Sequence, residues 1–309
     1  MIHHRVIIIG SGPAGYTAAI YTARANLKSA VIAGLEQGGQ LTKTTVIENW
    51  PGEDTGISGI TLMEKMLNQA QRFGSEIISD NILHADLSKR PFRLKGDNDE
   101  YTCDALIIAT GASTKYLGIP SEQKYMGRGV SGCAVCDGFF YKNKKVAVIG
   151  GGNTAAKEAM YLAKLSSEVT IIHRREGLRI EPITVEQLKR TLNIKFELNQ
   201  IVDEILGDEH GVTGIKIKNI ASNLTKEIEI AGIFVAIGHK PNTEIFTNQL
   251  DMEHGYIRAG LAYGAATATS ISGVFAAGDV INQNYHQAVV AAGLGCMAAI
   301  DAKNFLNSL

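Results

Sequence analysis

The sequence predicts an α/β fold of two dinucleotide-binding units, the second inserted into the first, and three stretches carry that expectation. Residues 5–20, RVIIIGSGPAGYTAAI, and 145–163, KVAVIGGGNTAAKEAMYLA, each pass from a short apolar strand through a glycine-rich turn into a helix of small and apolar residues. Residues 272–306, SGVFAAGDVINQNYHQAVVAAGLGCMAAIDAKNFL, read as a strand, a Gly-Asp turn and another small-residue helix that returns to the first unit. A chain of 309 residues has room for two such cores.

In the first unit Gly10 makes the sharp turn, Gly12 lets a pyrophosphate approach the backbone, and Gly15 lets helix and strand pack closely. The helix N-terminus then aims its unbonded N–H groups at phosphate. The second unit repeats this with Gly150, Gly152 and Ala155; alanine in the third place still permits close packing. With a strand before and a helix after, both turns sit in the context a Rossmann-like unit requires, so the chain is expected to hold two nucleotides.

The units differ where the second strand ends, about twenty residues on, the place at which an acid would hydrogen-bond a ribose hydroxyl. After the second turn, EVTIIHRREGLR ends in His173, Arg174 and Arg175, with Arg179 one helical turn later. Guanidinium donors match phosphate geometry, so this site is expected to prefer NADPH over NADH. The first unit has SAVIAGLEQGGQL there: Ala33 and Gly34 hold the strand end, and the only acid, Glu36, is slightly displaced. Gly38, Gly39 and Gln40 are expected to add backbone N–H groups and an amide. FAD could use both, but the glycines alone do not separate FAD from NAD.

In the third stretch Asp279 can bind a ribityl or ribose hydroxyl. The helix start near His286, Gln287 and Ala288 places a positive dipole end where a reduced isoalloxazine would carry negative charge. The helix's glycines and alanines are expected to let it approach the cofactor. Crossings between units are expected near KYLGIP (115–120) and HKPNT (239–243), which follow the apolar runs ALIIATG and GIFVAIG, a weak internal repeat. The expected division is 1–115 with 246–309 for the flavin unit and 116–245 for the other.

Composition excludes several classes. A net charge of −1 gives no reason to expect nucleic acid or an anionic membrane as partner. No apolar run in the sequence approaches the ~20 residues that span a bilayer. MIHHRVIIIG enters a strand without a signal peptide's long apolar region, so a cytoplasmic protein is expected. In that reducing compartment Cys133 and Cys136, in SGCAVCDGFF, read as redox or metal chemistry rather than a structural crosslink. Structural zinc wants a second ligand pair, and Cys103 and Cys296 stand alone in apolar runs, so no metal is expected. Phe139, Phe140 and Tyr141 read as core, with a partner's docking surface as the alternative.

GSGPAGYTAA, GGQL, ENWPG, ATGA, CAVCDGFF, GGGNTA, HRREGLR, AIGHKPNT and GVFAAGDV, in that order, span essentially the whole chain. Together they make it resemble the low-molecular-weight thioredoxin reductases of bacteria. The resemblance implies an NADPH-dependent flavoenzyme, usually a homodimer, whose FAD domain is interrupted by a nucleotide domain carrying the dithiol. It implies FAD contacts from Gly10, Gly12, Gly15, Glu36, Gly39, Gln40, Asn49, Thr110, Gly111, Asp279, Gln287 and Ala288. NADPH would meet Gly152, Asn153, Thr154 and Glu158, with Arg174, Arg175 and Arg179 around its 2′-phosphate. His286 stands where the family often has arginine, and Lys157 where it often has an acid.

By the same resemblance Cys136 is the sulfur that takes electrons from the flavin, Cys133 attacks the disulfide of thioredoxin, and Asp137 protonates a departing thiolate. Two other classes fit parts of the pattern. An oxygen-using dithiol oxidase, or a reductase of another disulfide carrier, would share the fold, although an oxidase has little need of the arginines. A nucleotide-sensing binding protein would need no dithiol.

Overall fold

In the computed structural model, which describes residues 1–44, 46–262 and 264–309, the first apolar run forms β1 (Ile2–Ile9). Val6 and Ile8 join one buried cluster while Ile7 and Ile9 join another, because successive side chains of a strand point to opposite faces. A strand covered on both faces reads as a continuous apolar run, which is what made β1 legible. The glycine turn leads into α1 (Pro13–Arg24), with Pro13 in its first turn and no side chain capping at Gly12. There follow β2 (Ser29–Ile32), α2 (Gly59–Arg72), β3 (Glu76–Ile78), β4 (Ile82–Asp86), β5 (Phe92–Gly96) and β6 (Glu100–Ile108). They form a sheet in the order β3-β2-β1-β6-β5-β4, with β1 parallel to both β2 and β6.

Asp80 ties down the antiparallel end of that sheet. Its carboxylate accepts from the N–H groups of Asn81 (2.8 Å), Asp97 (2.9 Å) and Asn98 (3.2 Å) and from the Tyr101 hydroxyl (2.7 Å). Burial would raise its pKa, but Tyr101 and the backbone donors outweigh burial and hold it below the usual carboxylate value.

The chain divides into two units, Met1–Ser113 with Lys240–Leu309, and Thr114–His239. The outgoing strand β7 (Ala112–Thr114) leads into α3 (Pro120–Lys124), β8 (Val130–Ser131), α4 (Ala134–Asp137), β9 (Lys145–Ile149), α5 (Asn153–Leu162), β10 (Glu168–His173), α6 (Pro182–Arg190) and β11 (Ile194–Leu198). An antiparallel trio, β12 (Gln200–Gly207), β13 (Val212–Asn219) and β14 (Thr225–Glu229), precedes β15 (Gly232–Val235). The parallel sheet of this unit runs β11-β10-β9-β15-β8, with β9 and its glycine turn at the centre.

The chain returns through β16 (His239–Pro241) to a small hairpin, β17 (Met252–Glu253) and β18 (Tyr256–Ile257), then β19 (Val274–Ala276), parallel to β6, and α7 (Ala288–Asn307). The return falls at 239/240 rather than 245/246, and Asn242 supplies the reason. Its side chain donates to the Thr110 carbonyl (2.8 Å) and accepts from Ser113 Oγ (3.1 Å), and its carbonyl accepts from Thr110 Oγ1 (2.7 Å). Everything from that residue onward belongs to the first unit.

α7 is long and apolar enough to cross a membrane by length and composition, although no single apolar run suggested it. Ala298, Ala299 and Ala302 are buried in the same cluster as Ala14, Ala18 and Ala19 of α1. A Cβ on Gly295 would fall 2.1 Å from the Ala14 carbonyl oxygen. That glycine therefore serves helix-to-helix contact with α1.

Candidate active site

Cys133 and Cys136 form a disulfide, with Cα atoms 5.3 Å apart, at the two ends of one helical turn. Cys133 is the N-cap of α4, and the Cys136 N–H lies 3.2 Å from its sulfur. Ser131, at the end of β8, binds both ends of this turn. Its hydroxyl accepts from the Cys133 N–H (3.0 Å) and donates to Asp137 Oδ2 (2.5 Å). Burial pushes the Asp137 carboxyl above its ordinary pKa, and the Ser131 hydrogen bond pulls the other way.

A second acid stands behind the turn. Glu158, on α5, directs Oε1 toward the N–H of Ala134 at 3.5 Å, while its Oε2 is buried and accepts no hydrogen bond. Burial pushes its pKa up to about 7. The residue expected to contact nucleotide thus faces the first N–H of the dithiol helix.

The aromatic triplet splits. Tyr141 packs edge-on to Phe234 with ring centroids 5.4 Å apart, but Phe139 and Phe140 are 60 % and 42 % exposed. The core expectation is corrected for these two: the turn after α4 carries them outward beside the cysteines.

On the nucleotide side of this unit, Gly152 has open space where a Cβ would be and no side chain caps α5, so the first N–H groups of that helix face outward. Asn153 and Thr154, in its first turn, are exposed, as is Lys157. Arg174, Arg175 and Arg179 are exposed, and none pairs with a carboxylate among the described residues. The Arg179 N–H donates to the Gly151 carbonyl at 2.6 Å, which brings the third arginine back over the turn. His173 lies beneath it, buried, its pKa lowered by burial and by Arg174 and Arg179. It packs as a neutral ring, while the arginines form a donor set suited to phosphate.

In the first unit the cradle is made of backbone. Gly12 has open space, Gly39 faces it with a Cβ position 3.4 Å from the Gly12 Cα, and Gly111 opens the loop after β6. The N–H of Gly38 is spent on Ser11 Oγ (3.0 Å) and that of Gly39 on the Glu36 carbonyl (2.9 Å). These glycines therefore provide closeness rather than the donors expected of them. Gln40 is exposed, and Glu36 pairs with Lys43 at 2.7 Å. Thr110 spends its hydroxyl on Asn242.

Two distant segments meet here: Asn49 Nδ2 donates to Gln287 Oε1 at 3.3 Å, and Gln287 occupies the N-cap position of α7 without a side-chain capping bond. Asp279 accepts no hydrogen bond from the described residues, and burial pushes its pKa to about 6 against the pull of His286. A half-buried carboxylate with unused acceptor capacity beside a backbone cradle fits a polyhydroxylated dinucleotide.

The chain matches the family model for pyridine nucleotide-disulphide oxidoreductases over residues 4–295. It belongs to that family. Among its relatives, a thioredoxin reductase of Vibrio cholerae is 56 % identical over 99 % of this chain and 98 % of that one. One of Coxiella burnetii is 58 % identical over the same shares. A Pseudomonas fluorescens relative named glucosaminate ammonia-lyase is 54 % identical over 99 % of this chain and 97 % of its own. Of solved structures, a thioredoxin reductase from Giardia duodenalis superposes with a TM-score of 0.94 at 41 % identity, covering 99 % of this chain and all of that one.

Two residues of this pyridine nucleotide-disulphide oxidoreductase escaped sequence reasoning, Ser131 and Asn242. Serine two places before the first cysteine was the available signal for one, since hydroxyls there bond local backbone. For the other there was none, because its partner lies 132 positions away.

Proposed function

We propose that this chain is an NADPH-dependent thioredoxin reductase in which the Cys133–Cys136 couple hands electrons to the disulfide of thioredoxin. The observation that carries this reading is the disulfide itself, set before a desolvated acid in a unit that also presents uncompensated arginines at a nucleotide turn. FAD would be held against Gly12 and Gly39 and by Asn49, Asp279 and Gln287, with Gly10 and Gly15 shaping the turn beneath it, and would supply a two-electron carrier. Arg174, Arg175 and Arg179 hold the 2′-phosphate, and the turn at Gly152, Asn153 and Thr154 holds the pyrophosphate. The same reading makes the protein a cytoplasmic homodimer.

Once the couple is reduced, the Cys133 thiolate attacks one sulfur of the substrate disulfide, forming a mixed disulfide and expelling the other sulfur as thiolate. Asp137, kept protonated nearer to neutrality by burial, gives that thiolate its proton. The Cys136 thiolate then attacks the Cys133 sulfur, which expels the second substrate sulfur as thiolate, to take its proton from water, and restores the Cys133–Cys136 disulfide. Phe139 and Phe140 offer the exposed apolar surface on which thioredoxin docks.

The test is a visible spectrum of the purified protein, taken before NADPH, after anaerobic NADPH and after oxidised thioredoxin. A flavin band that bleaches with NADPH and returns with thioredoxin is expected, with turnover lost in Cys136→Ser. A flavin that NADPH does not bleach would point to the oxidase instead. Ammonia release from glucosaminate without NADPH consumption would overturn the reading in favour of the lyase.

A further inference from the structure

Ser131 sits at the end of β8, an edge strand whose backbone is fixed by pairing Ser131 with Phe234 of β15. It is 7 % exposed. Its hydroxyl touches three groups of the dithiol turn: Asp137 Oδ2 at 2.5 Å, the Cys133 N–H at 3.0 Å and the Cys133 carbonyl oxygen at 3.4 Å. We infer that Ser131 is the positioning residue of the acid, a hydroxyl rotor that holds Asp137 against the Cys133 backbone in both of its protonation states. The inference rests on the reading of Asp137 as the proton donor to thiolate.

A hydroxyl has one proton and two lone pairs. With Asp137 ionised, the short contact is the O–H···O⁻ kind, so the serine proton points to the carboxylate and its oxygen accepts from the Cys133 N–H. With Asp137 protonated, the carboxyl becomes the donor to Ser131 Oγ. The serine proton then turns to the Cys133 carbonyl, whose distance already allows it. The acid can therefore lose and regain its proton without leaving its place, and no buried donor is stranded at either stage. A residue lacking the hydroxyl removes this acceptor from the Cys133 N–H and the donor from Asp137 together.

Few other groups bear on Asp137. Tyr116, in the loop before α3, and Tyr141, after α4, are the phenols in its field, both raised chiefly by burial. Glu158 of α5 faces the opposite end of α4, at Ala134. Cys133 and Cys136 lie in the disulfide, and no lysine or arginine pairs with Asp137 among the described residues. Among the described residues Ser131 is thus the one side chain that hydrogen-bonds the Asp137 carboxyl; its removal should move the Asp137 titration upward, because the lost donor favoured the ionised form.

The experiment follows the pH profile of thioredoxin-dependent kcat/KM in S131A, with D137N as control. It also follows the Asp137 titration in the oxidised enzyme, read as the infrared carboxyl band that D137N removes. A reaction that needs protonated Asp137 falls as pH rises through its pKa. S131A should therefore move that alkaline limb and the infrared titration up together by about one pH unit, and lower the plateau about tenfold. S131T and S131V differ only in the hydroxyl and suit a strand equally, so Thr should keep both titrations near wild type and Val should not.

A rate loss in S131A or S131V with both titrations unmoved would make Ser131 merely structural and overturn the inference. Wild-type rate and limb in D137N would instead remove Asp137 as the acid, a separate failure.

Discussion

The two glycine turns of this chain begin alike and part company at their third position. A Cβ on Gly10 would lie 2.3 Å from the Ala109 carbonyl oxygen, and one on Gly150 would lie 2.4 Å from that of Ala236. Each first glycine thus presses against the residue that follows a neighbouring parallel strand, β6 in one unit and β15 in the other. Further on, a Cβ on Gly15 would fall 1.9 Å from the Gly10 carbonyl oxygen, whereas Ala155 carries its Cβ without displacing its turn. The helix of the first unit therefore lies closer to its turn than that of the second.

The largest effect should come from erasing this difference. Gly15→Ala must push backbone apart, so we expect it to cost more than ~3 kcal/mol of unfolding free energy and to yield protein without bound flavin. Ala155→Gly displaces no backbone; it loosens a helix and removes one buried methyl, at a cost of about 1–2 kcal/mol. Denaturant titrations and the visible spectrum of both variants decide it. Equal penalties would mean the third position is not where the units differ.

A second contrast lies deeper in the same helices. Six residues beyond Gly12 the first unit buries Ala18 completely, while six beyond Gly152 the second places Glu158, with a buried oxygen that has no partner. Glu158 is pushed from 4.5 to about 7, so between those values the native state holds a proton that the unfolded chain has lost. Stability therefore falls as pH rises through that window and stays reduced above it. Glu158→Gln should match wild type near pH 4.5 and exceed it by about 2–3 kcal/mol at pH 9, read from urea unfolding at the two pH values. A constant difference at both would show that the carboxyl carries no folding penalty.

These contrasts also explain what was readable beforehand. Strand, turn and helix were legible in both units because the turn demands glycine locally and because β1 and β9, buried on both faces, leave unbroken apolar runs. ALIIATG and GIFVAIG looked like a weak repeat and prove to supply Ala109 and Ala236 in the same role. Long-range partners were not legible. Nothing local says that Asn242 clasps Thr110, that the Gly38 N–H is spent on Ser11, or that Gly295 meets Ala14. Phe139 and Phe140 read as core, with a docking surface as the alternative, because aromatic residues usually bury; the direction of the turn after α4 carries them out.

The smallest effect concerns the ends of β2 and β10, and it bears most directly on which nucleotide goes where. Beyond β2 the one acid, Glu36, is tied to Lys43 in an exposed pair whose worth is about 0.2–1 kcal/mol, and residues 33–44 carry no arginine. Beyond β10 three arginines stand without carboxylates among the described residues, and the Arg179 backbone is hooked to Gly151. A charge-assisted hydrogen bond from such a guanidinium is worth about 1.4 kcal/mol or more, roughly tenfold in affinity. Arg174→Ala and Arg175→Ala should each raise KM for NADPH about tenfold at low salt, with KM for NADH and kcat nearly unchanged. A 2′-phosphate is the only chemical difference between the two donors, so a loss shared equally by NADH would place the arginines on the pyrophosphate instead. The asymmetry between β2 and β10 would then no longer separate the two nucleotides.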